Sequence, residues 1–443
     1  MDGCGYSEAF QRAGWTYNAL DDANRAAVLD LLHDTTTGAG MSMYRIGIGS
    51  SPNSTLDHMN SIVPVSIGGP GATPDYKWDG NDSSQVWWAQ EAKARGCVYF
   101  YGDAWSADGY MKTNNDDANG QYLCGVRGTN CPTGSWMQAY ANKLVQWVKF
   151  YHQSGIDITH LGFVNEPDQT VTYASMVSDG YQAYDFLQVL RPTARAAFPD
   201  LKITWAESAG WEQTRLRLKD LSNAAGPNWQ DWIDLVTSHG YDQPPTTPFD
   251  TNLTTWQTEW AALFSTFTQP WYGHGDEGEG IFWANAISNA FVNSNVSLFT
   301  NWIGAATGNG ASQLIRVFAN NTFEVSPRLW SYAAFCRYTR PGSIRVHASA
   351  TEPITNKYLA VSAFNTADTF PDGGSVAIQI INNGPKDVAI PVTLQGVEKV
   401  KDVKTYLLDN KHNLGAVKMC ARQGDKILAT VPSLSMIVMS ISH

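Results

Sequence analysis

Two glutamates carry the first sign of chemistry. Glu166 stands in Val164-Asn165-Glu166-Pro167, and Glu259 stands in Thr258-Glu259-Trp260, 93 residues later. Each follows a short run of β-branched and aromatic residues, so each is predicted at the C-terminal end of a strand. Two carboxyl groups about 5 Å apart can break a glycosidic bond with retention, one protonating the leaving oxygen and the other attacking the anomeric carbon. Glu166 suits the general acid/base and Glu259 the nucleophile. The division requires donors around Glu259 to keep it ionised. Glu166 needs partial desolvation, and the charge of Glu259 nearby, to stay protonated. Glu207 follows another predicted strand and is the rival carboxylate; its ordinary reading is an ion pair or a substrate contact.

The elements that must position this pair alternate regularly. Strands are expected at 3–6, 43–49, 97–101, 158–164, 201–205, 235–238, 254–258 and 296–300. Helices lie between them, among them 85–95, with N-caps offered by Asn81, Asp82 and Ser83, and 136–153, with apolar residues at helical spacing. Eight strand–helix units predict an α/β fold, a (β/α)8 TIM barrel, whose reactive groups sit at the strands' C-terminal ends. From about Pro341 onward strands follow one another without helices, with turn clusters between them. This predicts a barrel over 1–340 and an antiparallel β-sandwich side domain over 341–443.

Composition narrows the function classes. The 443 residues carry a formal net charge of −11, which argues against a nucleic-acid partner or an anionic membrane surface. No apolar run approaches the length of a transmembrane helix. The 17 Trp serve both a large core and stacking on sugar rings. The six Cys show no CxxC spacing and no accompanying His cluster, so no metal and no cofactor are expected. Cys124 and Cys131 are expected to close a short disulfide loop. Sequons at Asn53, Asn81, Asn252, Asn295 and Asn320 favour secretion. The chain opens without an apolar leader, so it reads as a mature form of a secreted protein, expected to be a monomer.

With both glutamates placed, the chain resembles glycoside hydrolase family 30 of clan A. The match is carried by segments 3–9 (GCGYSEA), 43–49 (MYRIGIG), 105–114 (WSADGYMKTN) and 326–330 (SPRLW) with 340–343 (RPGS), and spans nearly the whole chain. The resemblance implies that Asn165 binds the 2-hydroxyl of the −1 sugar. Arg45 keeps Glu259 ionised (a buried salt bridge being its plainer reading), and Tyr241 donates to the nucleophile. His239 lines the pocket, Trp302 ends the eighth strand as the floor of the −1 subsite, and Trp105 forms a side wall. Family members usually carry a side-domain strand before the first barrel strand. Only two residues precede Gly3 here, so that strand is expected to be missing.

Segments 172–179 (TYASMVSD) and 5–12 (GYSEAFQR), with the sequons, resemble the fungal xylanase branch, subfamily 7. The implied substrate is β-1,4-xylan, often glucuronoxylan, cut internally or with release of xylobiose. A glucuronate branch needs a cation able to grip a carboxylate, and Arg12 is the candidate, with Arg316 in reserve. Residues 51–61 are the candidate loop for closing the −2 subsite. The alternatives are β-1,6-glucanase or β-1,6-galactanase activity. A different class, the inactive carbohydrate-binding barrel, typically lacks one of the two carboxylates.

Overall fold

A computed structural model describes residues 1–55, 58–66, 68–267, 270–350, 358–397, 399–424 and 426–443. Residues 56 and 57, within the candidate −2 loop, lie outside the described residues. The barrel strands are β1 (Gly3–Ser7), β2 (Met43–Ile48), β3 (Tyr99–Ala104), β4 (His160–Gly162), β5 (Lys202–Ser208), β6 (Leu235–His239) and β7 (Thr254–Glu259). After a short strand β8 (Ala262–Thr266), β9 (Leu298–Thr307) pairs in parallel with both β7 and β1 and closes the barrel. Closure leaves no open edge among these eight, and their burial is nearly continuous, as a parallel sheet covered on both faces requires.

Helices α1 (Arg12–Ala19), α2 (Asp22–His33), α3 (Gln85–Ala94), α4 (Met137–Gln153), α5 (Gly180–Ala197), α6 (Trp211–Ala225), α7 (Gly280–Asn293) and α8 (Pro327–Cys336) accompany the strands. Helix α4 shows why the sequence folds this way. Tyr140, Leu144, Trp147, Val148 and Tyr151 fall on one buried face, and Gly155 with φ 84° follows the stop. Helix α5 opens with a reciprocal capping box between Asp179 and Gln182.

Two expectations require correction, the capping of α3 and the end of the eighth strand. Asn81, Asp82 and Ser83 do not cap α3: the chain enters it through left-handed Asp82, Ser83 and Ser84, with no side-chain cap bond. The Asp82 carboxylate instead accepts from Tyr151 Oη at 2.7 Å. The eighth strand does not stop near Thr300 but runs to Thr307. It gains a further parallel partner, β11 (Gln313–Phe318), which pairs with β12 (Thr322–Val325). Trp302 therefore lies within that strand. Cys4 is joined to Cys336, tying β1 to α8 across 332 residues, a pairing that no local spacing signals. The short loop between Cys124 and Cys131 is disulfide-closed as expected.

Two antiparallel sheets follow the barrel. One runs in the order β13 (Ile344–Val346), β14 (Leu359–Asn365), β15 (Val376–Asn382), β21 (Ser435–Ser442), β17 (Asp402–Leu408), β18 (Asn413–Ala416). The other is β16 (Val388–Val392), β20 (Lys426–Val431), β19 (Cys420–Gln423), while β10 (Gly310–Ala311) pairs with β8 beside the barrel mouth. Strand β20 alternates strictly, burying Ile427, Ala429 and Val431 against Ile378, Ile437 and Met439. The sandwich docks on the barrel helices through Gln379, which donates to Ala334 O, and through Phe364 against Phe291.

Candidate active site

The site is assembled from residues in the C-terminal halves of the barrel strands and in the turns that follow them. Beyond β4 the chain turns sharply. Asn165 N donates to Ala104 O of β3, and Glu166 N donates to Glu207 O at 2.9 Å, so both flanking strands grip the turn. Glu166 is held at φ 44°, a left-handed conformation that a glutamate adopts only under tertiary constraint. Glu259 ends β7, and Gly240 N donates to its carbonyl. Gly240 itself must be glycine: a Cβ there would meet the Trp260 ring at 2.5 Å.

The two carboxylates converge. An oxygen of each, together with a ring nitrogen of His239, lies within 4.8 Å of the others. Glu259 accepts from Arg45 Nη1 through one oxygen and from Tyr241 Oη, at 2.9 Å, through the other. Glu166 accepts from His239 Nδ1 at 3.1 Å and from Tyr173 Oη at 3.4 Å. Both face a pocket of about 390 Å³ whose walls include Phe10, Arg12, Trp105, Asn165, Tyr241 and Trp302. The Trp105 and Trp302 rings meet at 5.6 Å.

Beneath this floor lies a layer of buried charge. Arg45 Nη2 donates to Asp103 at 2.7 Å, to Asn165 Oδ1 at 2.5 Å and to Glu207 at 3.0 Å. Its guanidinium sits 4.6 Å from the Trp105 ring centre. Glu207 takes Tyr101 Oη and Thr258 Oγ1 on one oxygen, and Arg45 and His239 Nε2 on the other. Burial works against the Glu207 charge, but Arg45 and His239 prevail and bring it down to about 2. Burial likewise opposes a charged His239, yet Glu259, Glu166 and Glu207 raise it to about 10. His239 is therefore an imidazolium donating through both nitrogens. Burial pushes the Glu259 carboxyl up, and the His239 and Arg45 cations pull against that rise. Burial, with the nearby Glu207 charge, brings Asp103 up to about 7.

One site expectation is corrected by this geometry. His239 is fully buried and does not line the pocket; it meets the carboxylates from behind, as does Arg45, which is ion-paired with Glu259. Glu207 is spent on four hydrogen bonds and is 1% exposed, an ion-pair partner of Arg45 and His239, in line with its ordinary reading. Arg12 reaches the pocket, its guanidinium 5.5 Å from the Trp302 ring centre and its Nη1 donating to Ala9 O. Arg316, the reserve cation, is instead paired with Glu324 and Asn309 on the β11–β12 side. Sequence reasoning passed over Asp103, Phe10 and Tyr173. Asp103 carried a usable signal, an acid at the C-terminal end of a barrel strand; Phe10 and Tyr173 lie in loops, and their one signal was their place in segments 5–12 and 172–179.

Glu166, His239 and Glu259 could together present three ligand atoms to a cation. The donor set does not fit one: a protonated imidazole with both N–H groups engaged has no lone pair to offer. Among the described residues no helix is long and apolar enough to cross a membrane.

No family model matches the chain. Among curated proteins it is 27% identical over 243 residues to an endo-1,6-β-D-glucanase of Trichoderma harzianum, covering 51% of this chain and 46% of that protein. It is 22% identical over 311 residues to a putative glucosylceramidase of Caenorhabditis elegans, covering 63% of this chain and 55% of that one. The chain thus spans about half the length of these curated relatives. A solved structure, the catalytic domain of GH30 xylanase C from Talaromyces cellulolyticus, aligns with a TM-score of 0.91 at 35% identity, over 100% of this chain and 97% of that one. A family 30 subfamily 8 xylanase from Clostridium acetobutylicum shares the fold, with a TM-score of 0.71 at 20% identity over 100% and 96% of the two chains. With similarity at this level along its full length, the chain belongs to glycoside hydrolase family 30.

Proposed function

We propose that the protein is a secreted, monomeric, retaining glycoside hydrolase acting on β-1,4-xylan, with Glu166 as general acid/base and Glu259 as nucleophile. The observation that carries the reading is the approach of the two carboxylates to within 4.8 Å at the mouth of an aromatic-walled pocket. That distance favours direct attack over inversion, which needs about 6.5–9.5 Å to admit a water between the groups. The similarity to a family 30 xylanase supports xylan as the polysaccharide.

The residues then divide the work in two steps. Glu259 attacks the anomeric carbon as Glu166 gives its proton to the departing oxygen. Glu166 next takes a proton from water, which displaces Glu259 with a second inversion at carbon. Tyr241 and Arg45 orient the Glu259 carboxylate for attack. Asn165 Oδ1 is held by Arg45, which leaves its amide hydrogens to reach the sugar 2-hydroxyl. Trp105 and Trp302 offer ring faces to the −1 sugar. Arg12, at the rim, is positioned to meet a glucuronate branch. The two disulfides and the five sequons support an oxidising, secretory route.

A β-1,6-glucanase reading is favoured by one observation, the similarity to the Trichoderma endo-1,6-β-D-glucanase. Glucuronoxylan, linear arabinoxylan, β-1,6-glucan and β-1,6-galactan are offered in parallel, the products sized and the first-formed anomer followed by NMR. Xylan cleavage with a β-anomer formed first is expected. An α-anomer first would overturn retention, and cleavage of β-1,6-glucan alone would overturn the substrate.

A further inference from the structure

The charged layer under the pocket contains two acids that the two-step reaction does not use, Glu207, whose oxygens are both hydrogen-bonded, and Asp103. Asp103 ends β3 one residue before Ala104, is fully buried and does not line the pocket. Its Oδ2 takes Arg45 Nη2 at 2.7 Å, while its Oδ1 has no hydrogen-bond partner among the described residues. That oxygen lies against the bare backbone of Gly162, where a Cβ would fall 2.1 Å from it and 2.4 Å from Tyr101 Oη. A buried carboxyl oxygen without a donor is costly, and Gly162 is the residue that leaves room for it.

Arg45 is the hub through which Asp103 can matter. The same guanidinium grips Glu259 by Nη1 and holds Asn165 by Nη2. Its Nε has no partner, so its orientation depends on the acceptors around the two terminal nitrogens. Glu207 approaches Nη2 from β5 at 3.0 Å, and Asp103 approaches it from β3 at 2.7 Å. Without Asp103 the guanidinium is free to settle toward Glu207, carrying Asn165 with it and rotating away from Glu259.

We propose that Asp103 is a positioning residue: it anchors Arg45 so that one guanidinium presents the nucleophile and the 2-hydroxyl-binding amide together. This rests on the assignment of Glu259 and Glu166 above. The charged groups facing Asp103 are Arg45 from β2, Glu207 from β5 and His239 from β6, with Tyr101 two residues before it on β3. Asp103 is brought up to about 7 by burial and Glu207, so it is neutral on the acid side of the activity profile and charged on the alkaline side.

The test uses Asp103→Asn and Gly162→Ala in the full chain. Asparagine keeps an acceptor for Arg45 but removes the alkaline-side charge. Alanine keeps the charge but pushes the carboxyl off its seat. Asp103→Asn should leave the acid side of the kcat/KM profile near wild type, where the replaced acid is itself neutral, and lower the alkaline side, where the charge that anchors Arg45 is missing. Gly162→Ala should lower kcat roughly tenfold to a hundredfold, the size expected of misplaced reacting groups, with KM changed much less. Thermal unfolding is followed for both. An Asp103→Asn protein with both sides of that profile unmoved overturns the proposal. So does a uniform loss in both variants that merely tracks a lower Tm. Failure of the underlying assignment is distinguishable, because Glu259→Gln would then retain turnover whatever Asp103 does.

Discussion

Two buried histidines sit at opposite ends of the same barrel, and their surroundings drive them in opposite directions. His160, on β4 near the floor, packs 4.2 Å from the Trp256 ring and 5.6 Å from Tyr99, and burial, with Lys202 nearby, takes it down to about 3. His239, on β6 at the mouth, is also buried and stands at about 10. Burial alone favours a neutral imidazole, so the mouth must supply something the floor lacks. It supplies Glu166, Glu207 and Glu259 within reach of one ring. At the floor the ring meets no acid directly among the described residues: His160 Nδ1 is 2.8 Å from Thr159 Oγ1, and Asp2 is taken by Trp256 Nε1 at 2.8 Å and Ser297 Oγ at 2.6 Å. At the floor, with no acid against it, the imidazole is held neutral. The mouth keeps charge at a cost in stability, which is where chemistry is to be sought.

The largest effect comes from removing the carboxylates that define the mouth. Glu259→Gln should abolish turnover on every substrate, a loss of roughly 10⁴-fold or more in kcat, as for loss of any covalent nucleophile. Glu166→Gln should fall as far on xylan but keep fast glycosylation on an activated aryl glycoside, whose leaving group needs no proton. Steady-state and burst kinetics on both substrates check the division. Equal losses on both would break it.

Next come the histidines themselves. His239 binds a proton in the folded protein up to about 10, against an ordinary 6.5 unfolded. Its contribution to stability is therefore fully present below 6.5 and lost as pH rises toward 10. His160 stays neutral when folded down to about 3, so the unfolded chain takes up a proton first and stability falls from 6.5 downward. His160→Phe should flatten the acid side of a Tm-against-pH curve, worth at least about 1.4 kcal/mol at its far end, with activity near wild type. His239→Gln should flatten the alkaline side and cost roughly a hundredfold in kcat/KM, comparable to losing a preorganised electrostatic group. Matching pH curves for the two variants would erase the contrast between floor and mouth.

The floor-and-mouth division also marks how far the sequence was legible. The strand–helix alternation is local, so the barrel order and the strand ends bearing Glu166 and Glu259 could be read from runs and spacing. What surrounds each side chain is not local. His239 was expected at the pocket wall and lies behind it, because its two nitrogens are claimed by acids 73 and 32 residues away in the chain. Cys4 pairs with Cys336, and the eighth strand is prolonged by a hairpin that follows it. Asp103 was visible as a strand-end acid, but its meaning depends on Arg45 and on the space left by Gly162.

A smaller effect is expected at the rim. Arg12 lies outside the charged layer, over Trp302, so its removal should leave the reaction itself intact. A charge-assisted contact to a glucuronate carboxylate is worth roughly 1.5–3 kcal/mol. Arg12→Ala should therefore lower kcat/KM on glucuronoxylan by at least about tenfold, while undecorated xylooligosaccharides are cut nearly as before. If both substrates fall together, Arg12 supports the first βα loop instead. If neither falls, the branch is not read here, and Arg316 offers no replacement while Glu324 holds it.

The smallest expected effect is that of a chelator, and it bears directly on His239. Glu166, His239 and Glu259 bring their ligand atoms within 4.8 Å, a spacing that would suit a divalent cation. A cation and a proton compete for the same imidazole lone pair, and here the ring is raised to about 10 by the very acids that would be its fellow ligands. At neutral pH the proton holds the site, with Nδ1 directed at Glu166 and Nε2 at Glu207. Releasing it to admit a metal would cost about 1.4 kcal/mol for each unit between the working pH and the raised value. Treatment with EDTA followed by dialysis should thus leave the xylan-hydrolysis rate unchanged within assay error. Added zinc should inhibit only weakly at neutral pH and more strongly as the pH is raised. A rate that collapses with EDTA and returns with one metal would mean that His239 is neutral, and the charge contrast between the two ends of the barrel would fall with it.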